Sequence, residues 1–573
     1  MLGIPASTIA ILLASAHLGA AAWCNYGWND NGRCKDLGFS CFCCAVSGQK
    51  GGDFVVNRDI KPWASPTAAG SSSTKCLEGC PDEAVKGVER PRKDGANVKV
   101  PNDGIATIIA NRPPDPMEYY RETWRLHARP ERKLKVIIVG AGIAGLSAGI
   151  GLQQIGHRVT IVDRVREITE VGAGMQMAPN NMRILGRFGV LPAVAEHCNF
   201  IQEISLRRWQ NNAELGTAPL MPGVAGKYGA PLGVIHRADL QHILLEAAKK
   251  AGIDIRTDHS VVKADDQFEA RVQLKNGEWL EGDLVIAADG IKSVIRRQII
   301  EHRNQKDHVT PTGDAAYRVL IPKEKMAGDE YALSLLNRNV GMRWMGPGGH
   351  IMGYPIRNNQ VYNMVLLHPD KHHVDAQDGE FWTRKGDKSE MMEVYKDWCP
   401  EVRNLLSYVP EGEILEWTLN SHHPLSSWSE NKVVLIGDSC HPMLPYVAQG
   451  AAQAIEDAGV LQCVLAKCSA DVPLALAVYE SVRKARGEAI QGSAAMTRVE
   501  LHLPDGPAQQ ERDRKIREAS RGTGDNPDLW ADQTFQEFMW GTDVMRDTIV
   551  RWPEHQARAR WTHLYGLTPV ACR

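Results

Sequence analysis

The chain has no surplus of either charge: 66 Lys and Arg face 68 Asp and Glu over 573 residues, a formal net charge of −2. It therefore lacks the basic stripe on which nucleic-acid or anionic-membrane binding depends. Beyond the first 22 residues no apolar run approaches the length of a membrane span, so no stable span is expected. There is no internal repeat, which removes solenoids and propellers. No Asn-x-Ser/Thr sequon occurs anywhere, which leans toward the cell interior. Cysteine is sparse over most of the chain: six of 13 are spread between Cys198 and Cys572 without a spacing pattern, as reduced thiols are. What is present is ordinary for a globular chain, with 43% hydrophobic and 23% charged residues. The length calls for two or three domains.

The other seven cysteines (Cys24, Cys34, Cys41, Cys43, Cys44, Cys76 and Cys80) crowd into the first 80 residues. Such density reads as a secreted disulfide framework, although an odd number leaves one thiol unpaired. Cys41, Cys43 and Cys44 stand too close together for the usual zinc-ligand spacing. Ahead of them, Ile9 to Leu18 followed by Gly19-Ala20-Ala21-Ala22 has the form of a secretory signal, without a basic n-region. The expected order is a signal-like segment at 1–22, a Cys-rich segment at 23–85 and a linker at 86–133, with a short exposed helix at Met117 to Arg129.

At Leu134 the texture changes. Lys135 to Val139 is a short β-branched run, glycines follow, and Ile143, Leu146, Ile150 and Ile155 then recur at helical spacing. A second run, Val159 to Val162, ends at Asp163, which completes a βαβ unit. Gly140, Gly142 and Gly145 fall at the strand-to-helix turn. There glycine allows the tight turn, the approach of a pyrophosphate to the helix N-terminus, and close helix–strand packing. Asp163 can accept hydrogen bonds from a ribose diol. The overlapping Gly145-Leu-Ser147-Ala-Gly149 mimics a hydrolase nucleophile elbow, but Ser147 falls inside a helix rather than at its entry.

Two further elements share this character. Asp289-Gly290 follows the apolar run Leu284 to Ala287, with Ser293 and Arg296 beyond it. Asp438 ends the run Lys432 to Ile436, where a carboxylate can hold a sugar-like hydroxyl chain. Gln449-Gly450-Ala451-Ala452 then opens a helix through Glu456 and Asp457. The N-terminus of that helix suits a group carrying negative charge. Cys440-His441 invites a metal or nucleophile reading, yet neither has a second ligand or base at useful spacing, so loop packing is expected. Trp417, Trp428 and the other tryptophans are expected in the core.

Taken in order, these elements resemble the group A FAD-dependent aromatic monooxygenases, most closely the fungal salicylate-hydroxylase-like branch. The resemblance runs from about Leu134 to Asp543. It includes Gly172 to Gln176, His236 to Leu240, Ala316-Tyr-Arg318, Gly346 to His350 with Gly353-Tyr354-Pro355, and His502 to Gly506. One departure is Ala287, where many relatives have glycine. The resemblance implies an α/β fold: a Rossmann-like FAD-binding domain at 134–309 and 423–500, an inserted antiparallel-sheet substrate domain at 310–422, and a C-terminal helical tail at 501–573. The Cys-rich N-terminal segment is unrelated to it. The resemblance further implies one FAD, NAD(P)H as reductant, O2, and a flavin hydroperoxide that hydroxylates a phenolic or salicylate-like aromatic, with no metal. Asp163 would bind the adenosine ribose, Ala173 and Gly174 would line the flavin, and Arg237 would reach the phosphates. Asp438 would hold the ribityl chain, with Gly450 and Ala451 at the flavin ring. Asp289 would join this cofactor set with the three glycines. Arg318 and Tyr354 would serve the substrate, Arg318 by pairing with a carboxylate or phenolate and Tyr354 by orienting a phenolate.

Alternatives in the same chemistry are a flavin-dependent epoxidase or halogenase, though the Trp-x-Trp-x-Ile-Pro motif of halogenases is absent. An alternative of another class is a secreted Cys-rich protein joined to a passenger flavoprotein. FAD and NAD(P)H are supplied inside cells, so an export-type segment and this enzyme make opposite demands on location. The strand Lys135 to Val139 would be the first of the FAD domain and needs nothing before it. Deleting residues 1–130 should therefore leave FAD content and melting temperature nearly unchanged; a large loss of either would show that the segment belongs to the enzyme.

Overall fold

The structure, a computed structural model, describes residue 126 and residues 129–168, 172–306, 309–371 and 383–565, together with two short strands near the N-terminus. The chain divides into two compact units, Met1–Ala110 and Asn111–Arg573. In the first, the strands Cys41–Cys44 and Gln49–Gly51 pair antiparallel. The rest of the signal-like and Cys-rich segments, the linker apart from residues 126 and 129–133, and nearly all of the helix expected at 117–129 lie outside the described residues.

The second unit is built on two large sheets and also holds a three-stranded and a two-stranded one. One has six strands in the order Ser429–Glu430, Val433–Leu435, Leu284–Ala287, Lys135–Val139, Arg158–Val162 and Asp254–Arg256. All pair in parallel except the short Ser429–Glu430 edge. Ile138 sits in register between Ile286 and Ile161, and all three are essentially inaccessible to solvent. Strands covered on both faces read as unbroken apolar runs, which is why these were visible in the sequence. The helix Ile143–Gln154 lies close against this sheet because Gly145 and Gly149 let it. A Cβ on Gly145 would come within 2.0 Å of the Gly140 carbonyl oxygen, and one on Gly149 within 2.9 Å of Ile161. Ser147 is fully buried within that helix, so the elbow-like motif serves packing.

The other sheet has eight strands in the order Thr383–Lys385, Leu415–His422, Val309–Pro322, Val361–Pro369, Gly349–Ile356, Val340–Gly346, Glu203–Arg208 and Glu214–Pro219. Six come from the tract expected to form a substrate domain. The last two come from well outside it, and Glu203–Arg208 joins Val340–Gly346 in parallel. The sheet thus begins a hundred residues before the inserted tract. Side chains alternate across it. Tyr317, Trp344, Ile351, Tyr362 and Met364 pack into a separate core with the helix Pro400–Ser407. Arg318, Arg343, Met352, Tyr354 and Val365 face the opposite way, into a cleft.

The C-terminal region carries the helices Pro507–Ser520, Gln533–Gln536, Val544–Val550 and Trp552–Tyr565. It is also part of the core: Trp530, Met539 and Trp540 are buried. Arg183 fixes it by donating to the carbonyls of Trp540 and Thr542 at 2.7 and 2.8 Å. Among the described residues no helix is long and apolar enough to cross a membrane.

Two imidazoles are kept neutral by this packing. His157, whose Nδ1 accepts from the Leu134 N–H at 3.1 Å, and His502 have their pKa pushed down by burial from 6.5 to about 4. Between those values the unfolded chain binds protons that the folded chain does not, so stability falls as pH drops. The melting temperature should decline from pH 6.5 to 4, and His157→Gln, which keeps an acceptor, should shallow the decline. A flat profile over that interval would contradict the assignment.

Candidate active site

The cleft between the two sheets has a volume of about 330 Å³ and is lined from several separate stretches of chain, a size typical of small-molecule sites. Its floor begins at the glycine loop. Gly140 has φ +107°, and a Cβ there would lie 2.3 Å from the Ala288 carbonyl oxygen, so the first glycine is obligatory. Gly142 is the opposite case: it precedes the helix Ile143–Gln154, that helix has no side-chain cap, and nothing lies within 4 Å of where its Cβ would be. The space over this helix end is open and its N–H groups are unspent.

A second helix, Gly450–Lys467, likewise begins without a side-chain cap, and Gln449, Gly450 and Ala451 all line the cleft. Ala448 turns the chain into it with φ +52°. Asp438 reaches the cleft from the turn after Val433–Leu435. Ala173, Gly174 and Arg237 complete this side; Arg237 starts the helix Arg237–Lys250, and its N–H donates to the Ala173 carbonyl at 3.1 Å. Gly174 is pinned by donation to Asn363 Oδ1 at 2.7 Å, and a Cβ on it would strike the Tyr354 ring at 2.7 Å.

Arg318 and Tyr354 meet in the same cleft. Burial pushes the Arg318 pKa down, and the nearby Arg237 cation adds to this while Tyr354 opposes it. Burial likewise raises the Tyr354 phenol well above its ordinary value, with Arg318 opposing. The Arg318 guanidinium lies 5.4 Å from the centre of the Trp417 ring. Among the described residues no carboxylate pairs with it. A half-buried cation facing a cleft without a carboxylate partner is complementary to an anionic or phenolic ligand.

Some expected cofactor residues stand back from the cleft lining. Gly140 and Gly145 shape the loop from behind. Asp163 closes the second strand, its Oδ2 accepting from the Ala141 N–H at 2.7 Å and its Oδ1 from the Val165 N–H at 3.1 Å. Asp289 Oδ2 accepts from the Val294 N–H at 3.0 Å and so helps to cap Val294–His302, Oδ1 is buried without a hydrogen-bond partner among the described residues, and burial raises the pKa of the group. Cleft residues that sequence reasoning missed are Gln176, Arg343, His350 and Trp530. The glycines before His350 were a signal for that one; nothing local marked Trp530.

His441 also departs from expectation. Its Nε2 lies 2.7 Å from Asp457 Oδ2, so it does have a carboxylate, supplied 16 residues on by the next helix. Cys440, His441 and Asp457 present donor atoms within 4.8 Å of one another. Asp457 also accepts from Arg483 Nε and the Gly437 N–H, both at 2.8 Å. A guanidinium inside the cluster competes with any cation, which makes it an ion-pair junction.

Two uncapped helix ends and an arginine around one open space, on a parallel sheet with a glycine-loop βαβ unit, define a dinucleotide-binding protein. Residues 133–494 match the family profile described as FAD binding domain. The FAD-dependent monooxygenase atnJ of Arthrinium sp is 38% identical over 72% of this chain and 94% of its own length. The 3-hydroxybenzoate 6-hydroxylase of Klebsiella oxytoca is 31% identical over 61% and 84%. A salicylate hydroxylase substrate complex superposes with a TM-score of 0.60 at 22% identity, over 77% of this chain and 99% of its own, and so shares the fold. The chain belongs to the FAD-dependent monooxygenases of the aromatic-hydroxylase family, and its cofactor is FAD.

The purified protein should accordingly be yellow with bound FAD. Gly142→Val, which fills the open space over the first helix end, should give colourless protein that takes up no FAD on reconstitution, with a melting temperature near that of the wild-type protein stripped of FAD. Flavin retained by the variant would place the pyrophosphate elsewhere.

Proposed function

We propose that this enzyme hydroxylates a phenolic aromatic ring, using NAD(P)H as electron donor and O2 as oxygen source. One oxygen atom enters the ring and the other leaves as water, with NAD(P)H supplying two electrons. The reading rests chiefly on Arg318: a cleft-lining cation with no carboxylate partner among the described residues, beside the phenol of Tyr354. FAD supplies the redox step and the activation of oxygen when bound.

The protein's part is placement and charge. Arg318 pairs with the substrate's phenolate or carboxylate, and Tyr354 orients the ring by hydrogen bonding. Stabilising the phenolate raises electron density on the carbon that takes up oxygen. Arg237 and the N-terminus at Gly142 suit the FAD phosphates. Asp163 suits the ribose, Asp438 the ribityl chain, and Ala173 and Gly174 the flavin edge. The helix end at Gly450 and Ala451 suits negative charge on the reduced ring. The apolar walls keep bulk water away. The enzyme's need for NAD(P)H favours a location inside the cell.

NAD(P)H oxidation should accelerate when a phenol is added, with oxygen recovered in the product. Arg318→Ala should lower substrate-stimulated turnover by about 100-fold or more, as loss of a buried charge partner does, while FAD content stays unchanged. Loss of FAD from that variant would place Arg318 with the cofactor instead.

A further inference from the structure

The end of the cleft built around Arg343 is assembled from distant parts of the chain, and its charges cancel. Arg343, on Val340–Gly346, is 4% exposed and lines the cleft. Its Nη1 pairs with Asp528, which is 1% exposed and comes from the C-terminal region. Asp528 is held in place, its Oδ1 accepting from the Trp530 N–H at 3.1 Å and its own N–H donating to Asn526 at 3.0 Å. Trp530 stacks against the guanidinium at 5.2 Å and donates its indole N–H to Gln176 Oε1 at 3.1 Å.

Three polar groups in this wall remain for a ligand: Arg343 Nε, His350 Nε2 and Gln176 Nε2, the last a buried donor whose amide oxygen alone is used by Trp530. Arg343 Nε is a buried donor with no acceptor among the described residues, an orphan of the kind folded proteins seldom leave. His350 has Nδ1 committed to His502 at 2.9 Å, which leaves Nε2. Burial keeps this imidazole neutral. The wall therefore offers hydrogen bonds without net charge, whereas Arg318 offers an uncancelled cation.

We infer that this wall selects an aromatic substrate whose substituent there is an uncharged hydrogen-bond acceptor, such as a carbonyl or ether oxygen, and that Asp528 excludes a carboxylate from that position. The inference rests on the aromatic-hydroxylase reading and narrows its substrate class. A carboxylate brought to Arg343 would sit beside the Asp528 carboxylate in a water-poor pocket, where like charges repel. A ketone oxygen accepts from Arg343 Nε and meets no such opposition. Removing the charge of Asp528 bares the guanidinium and makes the wall complementary to a carboxylate.

The test uses the full chain with FAD and two matched pairs: 3-hydroxyacetophenone with 3-hydroxybenzoate, and 2-hydroxyacetophenone with salicylate. Kd is read from the perturbation of the flavin spectrum, and turnover from substrate-stimulated NAD(P)H oxidation. The wild type should favour the ketone of at least one pair by about tenfold or more in Kd. Asp528→Asn should tighten carboxylate binding by about tenfold and move the ketone little. Carboxylates favoured by the wild type in both pairs would overturn the inference while leaving the hydroxylase reading intact. So would an unchanged ratio in the folded, FAD-loaded variant. If Asp528→Asn does not accumulate, the wild-type ratios decide alone. No response to any phenol, from either pair or a broader panel, would remove the hydroxylase reading and the inference together.

Discussion

Two adjacent carboxylates on one helix hold the two halves of the cofactor side together. Glu456 and Asp457 are fully buried on Gly450–Lys467 and are met by Arg483 and Arg486 from the long helix Val472–Leu501. Burial opposes their ionisation, but the arginines and His441 outweigh it and hold both carboxyls below their ordinary values. Glu456 also accepts from Asn180 at 2.7 Å, and Asp457 from the Gly437 N–H. The same junction thus fixes the helix whose N-terminus faces the cleft and the turn that carries Asp438. Removing one member of such a buried set typically costs about 3–5 kcal/mol, because a desolvated charge is left behind.

Charge is distributed unevenly around the cleft, and this gives the site its direction. On the cofactor side, helix ends and Arg237 leave positive potential facing the open space. At the substrate wall Arg318 is uncancelled, whereas Arg343 is neutralised by Asp528. The C-terminal region, a tail by its position in the chain, supplies that neutralising residue and Trp530. Arg187 with Asp543, and Arg183 with the Trp540 and Thr542 carbonyls, clamp this region to the helix Pro179–Arg187.

Much of the cofactor side was legible in sequence because its chemistry is local. Gly140 and Gly145 must be glycine for reasons set by the nearest turn and strand, and the runs on either side are apolar because both faces of a parallel strand are covered. Asp289 shows the limit: nothing beside it in the chain announces that one of its carboxylate oxygens helps to cap the following helix. His441 shows it again, since its partner Asp457 becomes a neighbour only when the helix folds back. The strands at 203–219 could not be assigned to the eight-stranded sheet, because the pairing of Glu203–Arg208 with Val340–Gly346 spans more than a hundred residues.

The sequence alone determined that this is an α/β FAD enzyme and that Arg318 and Tyr354 are candidates for its substrate side. Glycine geometry, strand covering and helix-end chemistry are short-range constraints that leave marks in adjacent residues. The tertiary structure alone decided which charges in the cleft are free and which are cancelled. Arg318 and Arg343 are both arginines on strands of one sheet, and no local pattern distinguishes them. The difference is made by Asp528, 185 positions along the chain from Arg343, because electrostatic pairing depends on distance in space rather than separation in sequence.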